Sequence, residues 1–360
     1  MNSLVLQATR TQLKLEWVHN LLLEHYALVT QLKLLPGERD HNFLVQVPAT
    51  GAQFVLKISH PAETPVVADF QTQALLHIAH HAPAIPVPRV IPTTSHQSSL
   101  NWQSPVGVQH VVRLFSFLTG TPLPSVRRSE KQRTRLAHEL AHIDTALSTL
   151  WHPACLLELP WDLQRAESLR DFLVHIKDPA QRELVENVLE HFVTYTKPKL
   201  LGLRKQPIHN DLNLHNILVA EASHDQVTAI LDFGDMVYAP LINELAVACA
   251  YQLSDAFDDL TVDPLAEVIP FVAAYHAILP LNEAELEVLF SLVQARLTMV
   301  VAISGWRAAR EPDNAAYLLR NNALSWARLR ACTRLTNEQA TLMFRRACGF
   351  NTRDPHVNPH

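Results

Sequence analysis

The chain has 360 residues, which is enough for about two domains. Hydrophobic residues make up 48% of it and charged residues 18%, a balance that excludes an intrinsically disordered chain. The 30 lysines and arginines are outnumbered by 35 aspartates and glutamates, which gives a formal net charge of −5. The basic surface that nucleic-acid binding requires is therefore not expected.

The first 26 residues predict an amphipathic helix. A signal peptide is not expected there, because the segment lacks a basic start and a small-residue cleavage site. No uninterrupted apolar run reaches about 18 residues, the length of a membrane span, so no membrane association is expected. The four cysteines lie far apart and form no C-x-x-C pair. This spacing favours reduced thiols and a cytoplasmic protein.

Residues 27–118 predict mostly β-structure. The segment 49–51 (Ala-Thr-Gly) indicates a hairpin, one helix is predicted over 65–81, and the proline-rich stretch 81–94 favours an extended edge segment. Short runs rich in β-branched and aromatic residues predict strands at 27–35, 42–48, 52–59 and 106–118.

Beyond about residue 129 nearly every segment predicts helix. An exception at 207–232 reads as two small strands that flank polar loops. This α+β pattern predicts an N-terminal antiparallel-sheet region over 1–114, a larger helical region over 115–350 and a cleft between them. The polar residues 351–360 predict a disordered tail. The predicted helices cover 129–150, 164–176, 179–197, 241–254, 264–278, 283–302 and 314–331.

Glycine is scarce, with 8 residues in the whole chain, and no two of them lie within ten positions of each other. This spacing excludes both the dinucleotide fingerprint G-x-G-x-x-G and the phosphate-binding loop G-x-x-x-x-G-K-[ST]. A nucleotide site in this protein therefore has to form without either loop.

The candidate catalytic and metal-binding residues lie within 209–234. His209, Asp211 and Asn216 form the string H-x-D-x-x-x-x-N, and Asp232-Phe-Gly begins sixteen residues after Asn216. Phosphoryl transfer to a hydroxyl needs a carboxylate that orients the nucleophile and oxygen ligands for a metal that bridges the phosphates. Asp211 suits the first task, and Asn216 and Asp232 suit the second because Mg²⁺ prefers oxygen ligands. Aspartate and asparagine are common in turns, so chance could explain one of these two motifs. Chance does not readily explain both motifs in this order, each next to a predicted strand.

The strings HNDLNLHNILV and AILDFGD resemble the aminoglycoside phosphotransferase and choline kinase superfamily, whose members are relatives of protein kinases. The resemblance spans nearly the whole chain. It implies a bilobal, protein-kinase-like α+β fold, with a nucleotide-binding sheet lobe and a helical lobe for catalysis and substrate binding. The stretches most similar to the hydroxylysine kinase branch are 35–43, 150–173, 231–251 and 304–319.

The resemblance also implies ATP or GTP and Mg²⁺ as cofactors. Lys57, in the strand FVLKIS, would contact the α- and β-phosphates, and His209 would fix the catalytic loop by hydrogen bonding. The other residues assigned to the nucleotide by resemblance are Arg39 and Asn42 in the phosphate loop and Ser116 and Leu118 in the hinge.

The sequence departs from the kinase pattern at the helix over 65–81. Kinases pair the strand lysine with a glutamate on this helix, whereas here the best-placed side chains are Gln71 and Gln73, and Asp69 is the nearest acid. We expect Gln71 to hydrogen-bond Lys57, although an amide holds a lysine less firmly than a carboxylate does. The departure leaves a non-catalytic nucleotide-binding protein open as an alternative, against which the three intact motif residues argue.

The implied acceptor is a hydroxylated amine or amino acid, with 5-hydroxylysine favoured. Carboxylates suit its ammonium groups, arginine suits its carboxylate, and aromatic faces add cation–π contacts. Homoserine, choline, ethanolamine and an aminoglycoside remain open as acceptors, and a homodimer remains open as the assembly. Candidate acceptor-binding residues are Trp161, Asp162, Asp235, Glu244, Arg296, Trp306, Arg307 and Tyr317.

A second motif, H-E-x-x-H, is formed by His138, Glu139 and His142 on a predicted helix. Histidines four residues apart share a helix face and could bind zinc, with Glu158 or Glu167 as a third ligand. The chain contains 20 histidines, so a chance match explains the motif better, and a zinc hydrolase is the weaker alternative.

Overall fold

The computed structural model describes residues 13–37, 40–158, 161–255 and 259–350. Its N-terminal part is a six-stranded antiparallel sheet in the order β1-β2-β3-β6-β4, with β5 also paired to β6. The strands are β1 (Gln31–Leu35), β2 (His41–Gln46), β3 (Gln53–Ile58), β4 (Val90–Ile91), β5 (Leu100–Gln103) and β6 (Gln109–Ser116).

Two helices cover opposite faces of this sheet. Helix α1 (Leu15–Tyr26) packs on Val112 and Leu114 of β6, whereas α2 (Pro65–His81) shares a core with Phe115. Successive side chains of a strand point to opposite faces, so the alternation along β6 places one helix on each side.

The strand register brings polar side chains together at the centre of the sheet. Lys57 on β3 lies opposite Asn42 on β2 and opposite Arg113 on β6. Residues that lie directly opposite each other in antiparallel strands point to the same face. The face that carries Lys57 therefore carries a second cation, Arg113, beside it.

The C-terminal part is mainly helical and is built around one long helix, α8 (Glu283–Arg310). Asn282 and Glu285 form a capping box at its start. Among the described residues, α8 alone is long and apolar enough to cross a membrane, but 89% of its most apolar window is buried inside the protein. The other helices are α3 (Glu130–Leu147), α4 (Pro179–His191), α5 (Lys197–Leu200), α6 (Leu241–Gln252), α7 (Val268–Ile278), α9 (Ala315–Leu318), α10 (Asn322–Cys332) and α11 (Asn337–Ala347).

Two small ladders hold the loops at 209–216 and 231–236. The first loop runs from β8 to β9 and the second from β10 to β11. Because β8 pairs with β11 and β9 pairs with β10, both ends of the two loops are fixed side by side. The strands are β7 (Thr121–Pro122), which also pairs with β9, β8 (Lys205–Ile208), β9 (Ile217–Val219), β10 (Val227–Ile230) and β11 (Val237–Pro240).

Several predicted elements differ in detail from the structure. The segment Leu163–His175 is a 3₁₀ helix with a kink at Arg165, and the helix predicted over 314–331 is broken between α9 and α10. Helix α11 was not predicted. The predicted boundary at residue 114 falls inside β6, so the division into two domains stays a prediction, and the tail at 351–360 lies outside the described residues.

Candidate active site

A cavity of about 550 Å³ lies where the sheet meets the two loops. The sheet side supplies Asp40, Asn42 and Lys57, and the loops supply Asp211 and Asp232. Residues that lie 175 positions apart in the sequence, such as Lys57 and Asp232, meet here. The other lining residues of interest are Glu63, Trp161, Asn213, His215, Asn216, Asp235, Tyr251, Arg296, Val300, Ile303, Ser304, Arg307, Tyr317, Arg320 and Asn321.

Asp211 is the centre of the catalytic loop. Its carboxylate accepts hydrogen bonds from Asn213 (2.7 Å), Asn216 (2.8 Å) and Arg296 (2.8 Å). Burial raises the pKa of Asp211 well above its usual value, and the Arg296 guanidinium opposes that rise. A carboxylate with a raised pKa is a better proton acceptor near neutral pH.

His209 connects the two loops. Its Nε2 lies 3.0 Å from the Leu231 carbonyl oxygen, its Nδ1 accepts from the Asp211 amide (3.2 Å), and its ring packs edge-on against Phe233. Burial lowers the pKa of His209 to about 4, which keeps the imidazole neutral as this bonding pattern requires. The predicted hydrogen bonding of His209 to the catalytic loop is confirmed.

Glu244 supports the catalytic loop from behind. Asn210 adopts a left-handed backbone conformation (φ 65°), and its amide donates to Glu244 Oε2 at 2.8 Å. The Asn210 side chain donates to the carbonyl oxygens of Trp161 and Asp235. Glu244 is fully buried and does not line the cavity, so this placement does not support its predicted contact with the acceptor. Helix α6 is buried on all sides, and its sequence therefore gave no sign of which way Glu244 points.

Lys57 lies between two carboxylates. Its Nζ is 3.0 Å from Asp40 Oδ2 and 3.5 Å from Asp232 Oδ1. Burial works against the ammonium, but Asp232 and Asp40 outweigh it and raise the pKa of Lys57. Lys57 in turn lowers the pKa of Asp232, so this carboxylate stays ionised.

Gln71 does not hydrogen-bond Lys57, which corrects the predicted partnership. Its Nε2 donates to Glu63 (2.9 Å) and to the Gly234 carbonyl oxygen (3.3 Å), and its Oε1 accepts from Arg113 (2.7 Å). The buried Arg113, which lies opposite Lys57 in the sheet, therefore engages the Gln71 amide oxygen in place of Lys57. The sequence analysis missed Glu63 because it precedes α2 instead of lying on it.

Of the other four residues predicted to contact the nucleotide, one lines this cavity. Asn42 lines the cavity, and Arg39 lies outside the described residues. Ser116 and Leu118 do not line this cavity, and the amide of Ser116 already donates to the Arg89 carbonyl oxygen. The Ser116 hydroxyl accepts from the Arg89 amide, so this residue is held by the chain itself. Their contact with a purine stays a prediction.

The cavity wall beyond Asp211 carries aromatic rings and cations. The Arg296 guanidinium lies 5.4 Å from the Trp161 ring and 5.8 Å from the Tyr251 ring. Arg307 is buried, and Arg320 lies 4.0 Å from the Tyr317 ring. The sequence analysis missed Tyr251 and Arg320. Successive turns of α8 present one face to this wall, and the residues on that face are Arg296, Val300, the adjacent pair Ile303 and Ser304, and Arg307.

Two further residues predicted for the acceptor lie outside this cavity. Asp162 caps the 3₁₀ helix that follows it, since its Oδ1 accepts from the Gln164 amide at 2.9 Å. Trp306 is buried against Phe172, with ring centroids 4.8 Å apart, and points away from the cavity into the helical core. An aspartate before a helix and a tryptophan within a helix have these structural roles more often than binding roles.

The H-E-x-x-H string has no third metal ligand among the described residues. In the parts of the chain that the structure describes, no group of three histidine, cysteine, aspartate or glutamate side chains could hold a metal ion. The two acids considered as a third ligand have other partners, because Glu158 pairs with Arg165 and Glu167 pairs with Lys197. The described residues therefore give the zinc-hydrolase alternative no support.

The sequence resembles curated proteins over most of its length. A family model described as "Phosphotransferase enzyme family" matches residues 31–281. Hydroxylysine kinase from Danio rerio is 31% identical over 298 residues, which cover 79% of this chain and 81% of that protein. Hydroxylysine kinase from Mus musculus is 28% identical over 324 residues, which cover 84% of each protein.

Solved structures share the fold at low sequence identity. A microcompartment-associated aminopropanol kinase is 21% identical, with a TM-score of 0.57 over 87% of this chain and 99% of its own. An amicoumacin kinase in complex with AMP-PNP, Ca²⁺ and Ami is 13% identical, with a TM-score of 0.63 over 85% of this chain and 92% of its own. The predicted kinase-like α+β fold is thereby confirmed. Because the family model covers more than half of the sequence, the chain belongs to the phosphotransferase enzyme family and acts on a hydroxyl acceptor.

Proposed function

We propose that this enzyme transfers the γ-phosphate of ATP or GTP to the side-chain hydroxyl of 5-hydroxylysine. The family membership supports nucleotide-dependent phosphotransfer to a hydroxyl, and the hydroxylysine kinases at 28% and 31% identity support this acceptor. The observation that carries the choice of acceptor is the charge of the cavity wall beyond Asp211.

That wall carries three arginines, Arg296, Arg307 and Arg320. Guanidinium groups bind carboxylates through charge-assisted hydrogen bonds. An amino acid supplies such a carboxylate, whereas choline, ethanolamine and aminoglycosides are cations without one. The wall therefore favours an amino-acid acceptor over those three. Homoserine is also an amino acid and remains the second candidate.

The second amine separates 5-hydroxylysine from homoserine. In 5-hydroxylysine an ammonium lies on the carbon next to the reacting hydroxyl, and so it would lie near Asp211. Asp235 and the Trp161 ring also line this part of the cavity. A carboxylate and an aromatic face are the groups that bind an alkylammonium. Homoserine has no amine there.

The residues present fit a magnesium–nucleotide complex. Asp232 is ionised, and the Asn216 amide nitrogen already donates to Asp211, which leaves its oxygen as the atom suited to a metal. Carboxylate and amide oxygens are the ligands that Mg²⁺ prefers, so Asn216 and Asp232 would hold it. When bound, the metal supplies neutralisation of the phosphate charge.

In the proposed step the acceptor hydroxyl oxygen attacks the γ-phosphorus, and the bond from this phosphorus to the β,γ-bridging oxygen breaks. The hydroxyl proton passes to Asp211 Oδ, and the nucleoside diphosphate leaves. Asn213 and Asn216 keep the Asp211 carboxylate oriented, and Lys57 contacts the phosphates. The products are the phosphorylated amino acid and a nucleoside diphosphate.

The test measures nucleotide consumption by the purified enzyme with Mg²⁺ and either ATP or GTP. The acceptors are 5-hydroxylysine, homoserine, choline, ethanolamine and an aminoglycoside, and Asp211→Asn is the control. We expect turnover with 5-hydroxylysine that falls by ~10²–10⁴ in the control, the usual contribution of a general base. A higher kcat/KM with any other acceptor would overturn the choice of substrate. Nucleotide binding without turnover on any acceptor would favour a non-catalytic nucleotide-binding protein.

Two broader expectations accompany this proposal. The four cysteines are unpaired, and Cys249 and Cys332 are buried, which supports a reducing compartment such as the cytoplasm. A homodimer remains a proposal that sedimentation of the purified enzyme tests directly.

A further inference from the structure

A partly buried glutamate beside Lys57 in the lining of the cavity has no role in the step described above. Glu63 lies between β3 and α2, lines the cavity, and its side chain is only 14% exposed. Its Oε1 accepts a hydrogen bond from Gln71 Nε2 at 2.9 Å. Its Oε2 lies 3.6 Å from Arg113 Nη2, which is an ionic contact that is too long for a hydrogen bond.

Glu63 Oε2 is buried and has no hydrogen-bond partner among the described residues. A buried carboxylate oxygen without a donor costs free energy, because it has lost water and gained no replacement. Such an atom, in a residue that lines a cavity, indicates a missing donor. The nearby ionic contact with Arg113 holds the carboxylate in place without satisfying this oxygen.

The cation best placed to supply the donor is Lys57. It lies directly opposite Arg113 in the sheet, so both cations project from the same face, and Lys57 lines the same cavity as Glu63. The Glu63 charge also contributes to the raised pKa of Lys57, which places the two groups within electrostatic reach. Lys57 is shared at present between Asp40 and Asp232.

Binding of a metal at Asp232 would remove one of these two partners from Lys57. We propose that Glu63 is then the positioning residue for Lys57, with Glu63 Oε2 accepting from the lysine ammonium while Arg113 and Gln71 fix the carboxylate. This inference rests on the proposed phosphotransfer function. It assigns to a loop residue the task that the sequence analysis sought on helix α2.

The acid on α2 itself is unavailable for this task. Asp69 Oδ2 lies 3.0 Å from His152 Nε2, and its Oδ1 accepts from Gln73 at 3.2 Å. Gln71, by contrast, also donates to the carbonyl oxygen of Gly234, two residues after Asp232. The amide thus connects Glu63 to the loop that carries the metal ligand.

The experiment is a double-mutant cycle on nucleotide affinity. Titration calorimetry with AMP-PNP and Mg²⁺ would compare the wild type, Glu63→Gln, Lys57→Met and the double variant. We expect Glu63→Gln to weaken binding about tenfold in the wild-type background and less than about twofold in the Lys57→Met background, because the glutamate acts through the lysine. In steady-state assays its nucleotide KM would rise, and its acceptor KM would stay within about twofold.

Asp69→Asn is the matched control, with the same isosteric loss of one acidic charge, and it would leave nucleotide affinity unchanged. An equal effect of Glu63→Gln in both Lys57 backgrounds would overturn the proposal, as would a lower Tm with unchanged nucleotide affinity, since both indicate a structural role. A wild type that binds nucleotide but phosphorylates no acceptor would defeat the proposed function alone, because the cycle still reports on Glu63.

Discussion

Arg296 Nη2 donates to Asp211 Oδ1 at 2.8 Å, so a residue considered for the acceptor also holds the candidate base. Arg296 is 2% exposed, and its guanidinium lies near the rings of Trp161 and Tyr251. Burial raises the pKa of Asp211 and Arg296 counteracts that rise. The pair therefore sets the pH at which the carboxylate is free to accept a proton.

Replacing Arg296 with Met is expected to shift the acid limb of the kcat profile to higher pH. Loss of the cation raises the pKa of Asp211 further, and the base works only when deprotonated, so activity would recover only as the pH rises. At pH 7 we expect a loss of ~10² in kcat. The measurement is a pH–rate profile from pH 5 to 9.5. Arg296→Lys, which keeps the positive charge, is the control, and coincident acid limbs for the wild type and the Met variant would contradict the prediction.

Replacing Asp232 with Asn is expected to abolish the Mg²⁺ dependence of nucleotide binding, because the variant lacks the proposed anionic metal ligand. Calorimetric titration of AMP-PNP with and without Mg²⁺ measures this dependence. Asp40→Asn is the control, since Asp40 also contacts Lys57 but is not a proposed metal ligand. An unchanged response to Mg²⁺ in the Asp232 variant would rule out this metal role.

Replacing Arg320 with Gln is expected to raise the KM for 5-hydroxylysine by about tenfold or more with little change in kcat, because an ionic contact to the acceptor carboxylate is lost. Arg320 is exposed, so the variant should fold normally. Arg310→Gln, at an exposed position of α8 outside the cavity, is the matched control.

A hydroxylated diamine without the carboxylate separates this contact from general charge effects. The Arg320 variant and the wild type should use the diamine equally well. If the variant loses as much activity with the diamine as with 5-hydroxylysine, Arg320 does not recognise the carboxylate.

Replacing Glu244 with Gln is expected to remove a pH dependence of stability. Burial raises the pKa of Glu244 from 4.5 to about 7, so the folded state binds its proton more tightly than the unfolded state does. The free energy of unfolding therefore falls as the pH rises from about 4.5 to 7, by about 2–3 kcal/mol from this group. Urea denaturation at pH 5 and pH 8 should show this fall in the wild type and a smaller one in the variant. Equal falls in both proteins would refute this assignment.

Replacing Gly120 with Ala is expected to destabilise the protein by about 2–4 kcal/mol. A Cβ at this position would lie 2.4 Å from Thr228 Oγ1 and 2.8 Å from the Val219 carbonyl oxygen, and the ladder of β7, β9 and β10 cannot yield easily. Thermal and chemical denaturation measure the effect. Gly305→Ala is the control, because nothing lies within 4 Å of its Cβ and alanine favours a helix interior. Equal Tm values for the Gly120 variant and the wild type would contradict this packing.

The sequence was sufficient for those parts of the site that lie close together along the chain. Asp211, Asn216 and Asp232 are ordered in short loops between strands, and the structure brings them together around one cavity. Local strand and helix patterns likewise predicted the sheet region and the helix over 283–302, which the structure extends to Arg310 as α8. These features depend on near neighbours, which a sequence displays directly.

The remaining parts of the site depend on contacts between distant residues. Glu63 and Arg113 are fifty positions apart, and only the β3–β6 register brings them together. Glu244 lies on a helix that is buried on every side, so no polar face indicated its direction. Arg320 enters the cavity because the predicted helix over 314–331 is broken, which residue propensities did not show.

The long helix α8 both holds the candidate base and forms part of the acceptor wall. One end of its cavity face, at Arg296, secures the base, and the other, at Ser304 and Arg307, forms the wall against the acceptor. At 1.5 Å of rise per residue, Arg296 and Arg307 are about 16 Å apart along this one continuous helix. The wall can thus diverge between relatives while the base keeps its position. An engineer who wishes to change the acceptor should vary positions 300–307 and leave Arg296 intact.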